Sequence, residues 1–190
     1  MRNVRANQIG LVAHYSRQGN WAFDLAFELA RRKNLQLNIF CFSEMTYDKP
    51  FDMKSDRMPD KVEAREILIA EEKKLREYYD EYLEDYTDVG FKLCTRKRHN
   101  FELKSCMIKN EFQILIIPYV DNDMGMDDMP VLKFAGDFGA PIILVGPDRE
   151  IQYHINYPAS LLVNLGALPE RFKDPGLVKI IPHSHHHIRF

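Results

Sequence analysis

The chain is short of the residues that mark several functional classes. It has three cysteines in 190 residues (Cys41, Cys94, Cys106), and no two stand in CxxC spacing. A disulfide framework is thereby excluded, and a cytoplasmic protein with reduced thiols is expected. No apolar run approaches the roughly 18 residues that cross a bilayer. The polar start, Met1 to Gln8, leads into no stretch long enough for a signal peptide. With 26 basic and 28 acidic residues the net charge is −2, so the basic excess of a dedicated nucleic-acid binder is missing. Neither a membrane nor a nucleic acid is an expected partner. No Ser-His-Asp or Cys-His spacing is legible, and no enzyme is predicted.

What is present is the composition of a folded domain, 45% hydrophobic and 28% charged. Ile9 to Ala13 is a short apolar run, followed by a turn-like stretch from Ser16 to Asn20. From Trp21 to Lys33 the apolar residues Ala22, Leu25, Ala26 and Leu29 recur at helical spacing. Asn20 is the expected N-cap, and Arg31, Arg32 and Lys33 suit the negative end of the helix dipole. Leu35 to Phe42 reads as a buried strand. Strand, helix, strand is a βαβ unit, which implies parallel pairing.

After a loop over residues 43–58, a long helix runs from about Asp60 to Tyr86. Its inner stripe is Ala64, Leu68, Leu75, Tyr79, Tyr82 and Tyr86, with Gly90 expected as a left-handed cap beyond its end. Phe91 to Thr95 alternates as a third strand. Asn100 caps a short helix to Lys109, with Phe101, Met107 and Ile108 expected inward. Phe112 to Val120 is the most strand-like stretch of the chain. Pro130 opens a helix reaching Phe138, and Pro141 to Gly146 is a fifth strand. Five strands alternating with four helices predict an α/β fold with a doubly wound, five-stranded parallel sheet.

Residues 147–190 break the rhythm with five prolines, half of the chain's total. One short helix over 159–165 and an edge strand over 177–181 are expected there. The chain therefore divides into an α/β domain, 1–146, and a proline-rich extension, 147–190. The extension is too small for a core of its own and should lie on the sheet domain or on a partner subunit.

The motifs resemble those of universal stress proteins, a family of the adenine nucleotide alpha hydrolase-like fold. Ile9-Gly-Leu-Val-Ala-His-Tyr-Ser16, followed by Ala22, Ala26 and Ala30, resembles that family's first strand and helix, ILVAVDGS and then ALEYALELA. Gln113 to Ile117 resembles its fourth strand and Ala140 to Val145 its last. The resemblance covers residues 10–146. It implies a five-stranded sheet and a homodimer, often formed through the last strand. In ATP-binding members it implies an Asp ending strand one and a glycine motif, G-x2-G-x9-G-[ST], after strand four. Such glycines let backbone amides approach phosphates.

This chain departs at each of those points. His14 stands in place of the Asp, although Ser16 matches. Pro118, which has no N–H, stands at the first glycine. The loop that follows holds Gly125 and four acids, Asp121, Asp123, Asp127 and Asp128, which would repel a triphosphate. ATP held in the family's usual way is not expected. The expected function is a non-enzymatic stress-response or regulatory module that senses a small molecule or a protein partner, with no assigned cofactor. The alternative is a nucleotide-binding member, for ATP or AMP, with a remodelled site around His14, Tyr15, Ser16 and Tyr119. Those residues fall where open parallel sheets place their ligand crevice. In a further variant Asp121 and Asp123 would ligate a hard metal ion.

Charge is unevenly spread. From Lys92 to Lys109 there are six basic residues and one acidic, whereas Asp60 to Asp88 has five basic and eleven acidic. This asymmetry can orient a partner. The histidine run at 183–187 can ligate a transition metal or be an unstructured tail.

Overall fold

Ile9, Leu11 and Val12 have side chains that suit a pleated, buried surface, and the first strand forms there. A computed structural model describes residues 8–42, 61–94, 99–120, 125–126, 129–146, 151–155 and 178–182. In order, β1 (Gln8–Val12) leads to α1 (Arg17–Lys33), β2 (Gln36–Phe42), α2 (Lys61–Leu83) and β3 (Val89–Cys94). Then come α3 (His99–Ile108), β4 (Ile114–Pro118), the two-residue strands β5 (Gly125–Met126) and β6 (Met129–Pro130), and α4 (Val131–Asp137). Last are β7 (Ile142–Val145), β8 (Ile151–Ile155) and β9 (Val178–Pro182).

The sheet runs β3-β2-β1-β4-β7-β8-β9. Its first five strands are parallel, as an α/β doubly wound fold requires. β8 joins β7 antiparallel, with Ile142 opposite His154, and β9 then joins β8 in parallel. The edge strand expected over 177–181 is thus β9, and β8 lies between it and the parallel core. The expected helix over 159–165 lies outside the described residues.

Helices cover both faces, which explains why β4 and β7 are apolar at every position and wholly buried. On one face α1 and α2 pack Ala22, Leu25, Ala26, Leu29, Leu75 and Tyr79 against Ile9, Leu11 and Ile39. On the other α3 and α4 pack Leu103, Cys106, Val131 and Phe134 against Phe40, Phe112 and Leu115. Each fully buried Leu or Phe contributes about 1.5–3 kcal/mol.

Four local expectations are corrected. The N-cap of α1 is Ser16, whose side chain accepts from the Gly19 amide, so residues 17–20 are the helix's first turn and not a loop. The left-handed residue after α2 is Glu84, at φ 52°, and Gly90 lies inside β3. A Cβ on Gly90 would lie 2.2 Å from Asn38 Oδ1, so the glycine leaves room for a cross-strand side chain. In α3 the buried residues are Leu103 and Cys106, whereas Phe101 and Ile108 are 58% and 77% exposed. On α2, Leu83 is buried and Tyr82 is half exposed.

Candidate functional site

The strand order reverses between β1 and β4, because β2 lies on one side of β1 and β4 on the other. At such a reversal α/β sheets place their ligand crevice. His14, Tyr15 and Ser16 leave β1 at this point. Ser16 N donates to the His14 carbonyl at 2.9 Å, and Asn20 N donates to the Ser16 carbonyl at 3.0 Å. A Cβ on Gly19 would lie 1.7 Å from the His14 carbonyl oxygen, so only glycine lets the first turn of α1 close on the β1 loop.

His14 Nδ1 and Ser16 Oγ share a hydrogen bond of 2.8 Å. Ser16 Oγ already accepts from Gly19 N at 3.0 Å. It can also give its own proton to His14 Nδ1 or accept a second bond from Nδ1–H, according to the imidazole tautomer. The pair can present the other ring nitrogen, Nε2, to a ligand.

Tyr15 points to the α2 side of the sheet and is 47% exposed. Its ring meets Tyr78 edge-on at 4.9 Å, and the Lys74 ammonium lies 5.6 Å from its centre. Burial, then the charge and hydrogen bond of Cys41 together with Tyr78 and Glu71, push the Tyr15 phenol up to about 12. The Cys41 thiol is raised as well, chiefly by burial. Tyr78 donates to Asn20 Oδ1 at 2.6 Å, so the residue expected to cap α1 instead ties α1 to α2. Tyr79 is 1% exposed and packs 4.8 Å from Phe23. Its hydroxyl approaches the His14 backbone without completing a hydrogen bond, and burial raises its pKa strongly. Glu71 also carries a buried oxygen, Oε2, with no partner.

His14, Tyr15 and Ser16 are thus together at the β1 end. Tyr119 is 1% exposed and belongs to the α3–α4 core, its amide bonded to the Val145 carbonyl. A Cβ on Gly146 would lie 2.2 Å from its hydroxyl, so the ring fills space at the ends of β4 and β7. Asp121 and Asp123 lie outside the described residues, as does the histidine run. Among the described residues no three His, Cys, Asp or Glu side chains group as metal ligands, and no helix is long and apolar enough to cross a membrane.

The tyrosine, cysteine and glutamate beside Tyr15 were not expected to join the site, yet one signal for them was legible. The inner stripe of α2 steps seven residues from Leu68 to Leu75, and the position passed over, Glu71, completes a 4-3-4 pattern. A carboxylate on an apolar stripe needs a reason. Residues near one another only through the fold, such as Cys41 and Tyr15, carry no such signal.

A second polar group lies toward the other end of the sheet, on the α3 side. Lys92 Nζ and Glu111 Oε2 are 2.5 Å apart, and Asn38 donates to the Glu111 carbonyl at 2.6 Å. They line a cavity of about 170 Å3 with Phe40, Gly90 and Phe91. Burial alone would raise the Glu111 carboxyl, but hydrogen bonds from Lys92 and Cys106 and the Lys92 charge bring it below the usual range. Burial alone would lower Lys92, but hydrogen bonds and charge from Glu111 and Cys106 raise it. Burial first, then Glu111, lifts the Cys106 thiol to about 11, which keeps it protonated and unreactive near neutral pH. This pair clamps the edge strand β3 to the end of α3.

No protein-family model matches the sequence, and no curated protein matches it. Among solved structures, a hypothetical protein, PH0823, is similar at 13% identity with a TM-score of 0.44, over 74% of this chain and 96% of that one.

Proposed function

We propose that this protein is a non-enzymatic regulatory or stress-response module of the universal stress protein type. It reads a small molecule at the C-terminal end of β1 and does not hold ATP in a glycine loop. The observation that carries this reading is the hydrogen-bonded His14–Ser16 pair at the reversal of strand order. It offers a hydrogen-bonding ring nitrogen where ligands of this architecture bind. Two features of β4 count against a triphosphate cradle. Pro118 has no amide proton, and Tyr119 packs into the core where an open, glycine-lined turn would be needed.

The second reading is a remodelled AMP or ATP site, favoured by Ser16 at the N-terminus of the 17-residue α1. Thermal unfolding with MgATP and with AMP separates the two, because a ligand that binds the native state must raise the melting temperature. The leading reading predicts no saturable rise with MgATP. A saturable rise that Ser16→Ala removes would replace it with the nucleotide reading.

The module is a cytoplasmic homodimer in this proposal. β8 covers the edge of β7, so a dimer through the sheet edge would use β9. Sedimentation of the full chain tests it, and a monomeric mass at micromolar concentration would overturn the dimer.

A further inference from the structure

The polar cluster between β1, β2 and α2 has an unmet requirement. Glu71 Oε2 is buried and accepts no hydrogen bond. A buried carboxylate oxygen without a donor costs far more than an exposed one, so such atoms are normally paired. The groups near it do not supply the donor. The Tyr15 hydroxyl is turned to the Cys41 sulfur, and the Tyr78 hydroxyl donates to Asn20. The neighbouring Glu72 is already occupied by Arg76, at 2.8 Å.

The surroundings specify the charge of the missing donor. Tyr15 and Tyr78 stand edge to face, and aromatic faces beside a carboxylate attract a cation. The chain demonstrates this itself, since the Lys74 ammonium lies over the Tyr15 ring. Lys74 stands three residues from Glu71 on α2, so both reach the same side of the helix. It sits over the ring without bonding Glu71 Oε2. Tyr15 is about half exposed, which gives a solute access to that ring.

From this geometry we infer that the Tyr15–Glu71 cluster binds a small protonated primary amine, its ammonium donating to Glu71 Oε2 against the Tyr15 ring. The inference rests on the reading of the β1 end as a ligand site and gives that site its ligand class. Lys74 is then a competitor, holding the ring face when no amine is bound.

The test is thermal unfolding and calorimetric titration of the full chain with n-butylammonium chloride, with tetramethylammonium chloride and sodium chloride as controls. Butylammonium should raise the melting temperature saturably. Tetramethylammonium, which has no N–H to give Glu71, should bind about tenfold more weakly or not at all. Glu71→Gln should weaken butylammonium by about tenfold or more, while Lys74→Gln should tighten it. Tyr15→Leu removes the ring while keeping an apolar side chain, and should weaken binding of both cations. No response to butylammonium, or one that Glu71→Gln leaves intact, overturns the inference. If AMP stabilises the chain in a Ser16-dependent way while butylammonium does nothing, the crevice stands and the amine assignment alone falls. If butylammonium binds through Glu71 but His14→Ala and Ser16→Ala change nothing for any ligand, the amine site stands without the crevice.

Discussion

The two faces of the sheet are built from different aromatic residues. On the α3–α4 side Phe40, Phe112, Phe134 and Phe138 form a chain of rings with neighbouring centroids 5.3–6.3 Å apart. Every one of them is buried and none has a polar atom to satisfy. On the α1–α2 side the corresponding rings are mostly tyrosines. Tyr15, Tyr78, Tyr79 and Tyr82 run along the helix contact, with Phe23 among them. A phenylalanine face asks only for packing, whereas a tyrosine face must also place hydroxyls. Tyr86 meets that demand by donating to the Leu35 carbonyl, and Tyr78 by donating to Asn20. Tyr79 and Glu71 do not meet it. The phenylalanine chain needs only packing, whereas the tyrosine face keeps unsatisfied polar atoms close to the end of β1.

The sharpest contrast comes from truncating the dry face. Phe134→Ala should cost about 3–5 kcal/mol, because the cavity is walled by Phe138 and the sheet. Chemical denaturation measures it, and a loss below about 1 kcal/mol would mean that the phenylalanine chain is not a packed unit. Ser16→Ala, at the wet end, should cost about 1 kcal/mol through the lost N-cap. It should also move the His14 ring resonances seen by NMR, since their hydrogen bond disappears.

Acid should act through the clamp at the far end of the sheet. Folding lowers the Glu111 pKa, so its contribution is full above the unfolded value near 4.5 and fades as pH falls through the folded value. Folding raises Lys92, so its contribution is full below about 10.5 and fades as pH rises beyond that. Both side chains are about 30% exposed, which limits the pair to about 1 kcal/mol or less. Glu111→Gln should flatten the stability profile between pH 3 and about 5; an unchanged profile would remove the clamp.

The smallest expected effect is the most informative about the tyrosine face. Tyr79→Phe deletes a buried hydroxyl with no partner, so stability should be unchanged or rise by up to about 1 kcal/mol. The same change at Tyr78 breaks its bond to Asn20 and should cost about 0.5–1.5 kcal/mol. If Tyr79→Phe costs more than Tyr78→Phe, the contrast between satisfied and unsatisfied hydroxyls is wrong.

The parallel sheet was legible because its evidence is local. Runs such as Ile114 to Ile117 and the Ala-Leu stripe of α1 announce strand and helix by period alone. Caps were less so, since Ser16, Asn20 and Glu84 compete through hydrogen bonds and turns that depend on tertiary neighbours. α3 misled for a related reason. Phe101 and Ile108 are apolar but face out, while Leu103 and Cys106 face in, and a ten-residue helix has too few turns for its period to decide. Of the site, the β1 end was readable from the strand order and His14–Ser16. Its α2 wall was not, apart from the one acid on an apolar stripe. β8 carried too little alternation to stand out, and its place is set by pairing with β7.

The central claim is that the wet face, at the ends of β1 and β2, is where this protein meets a ligand. Amide chemical-shift mapping during titration with n-butylammonium tests it most directly. The account predicts saturable shifts confined to residues 14–20, the end of β2 near Cys41, and α2 from Glu71 to Tyr79. Shifts centred instead on α4, residues 131–137, or none that saturate, would contradict it.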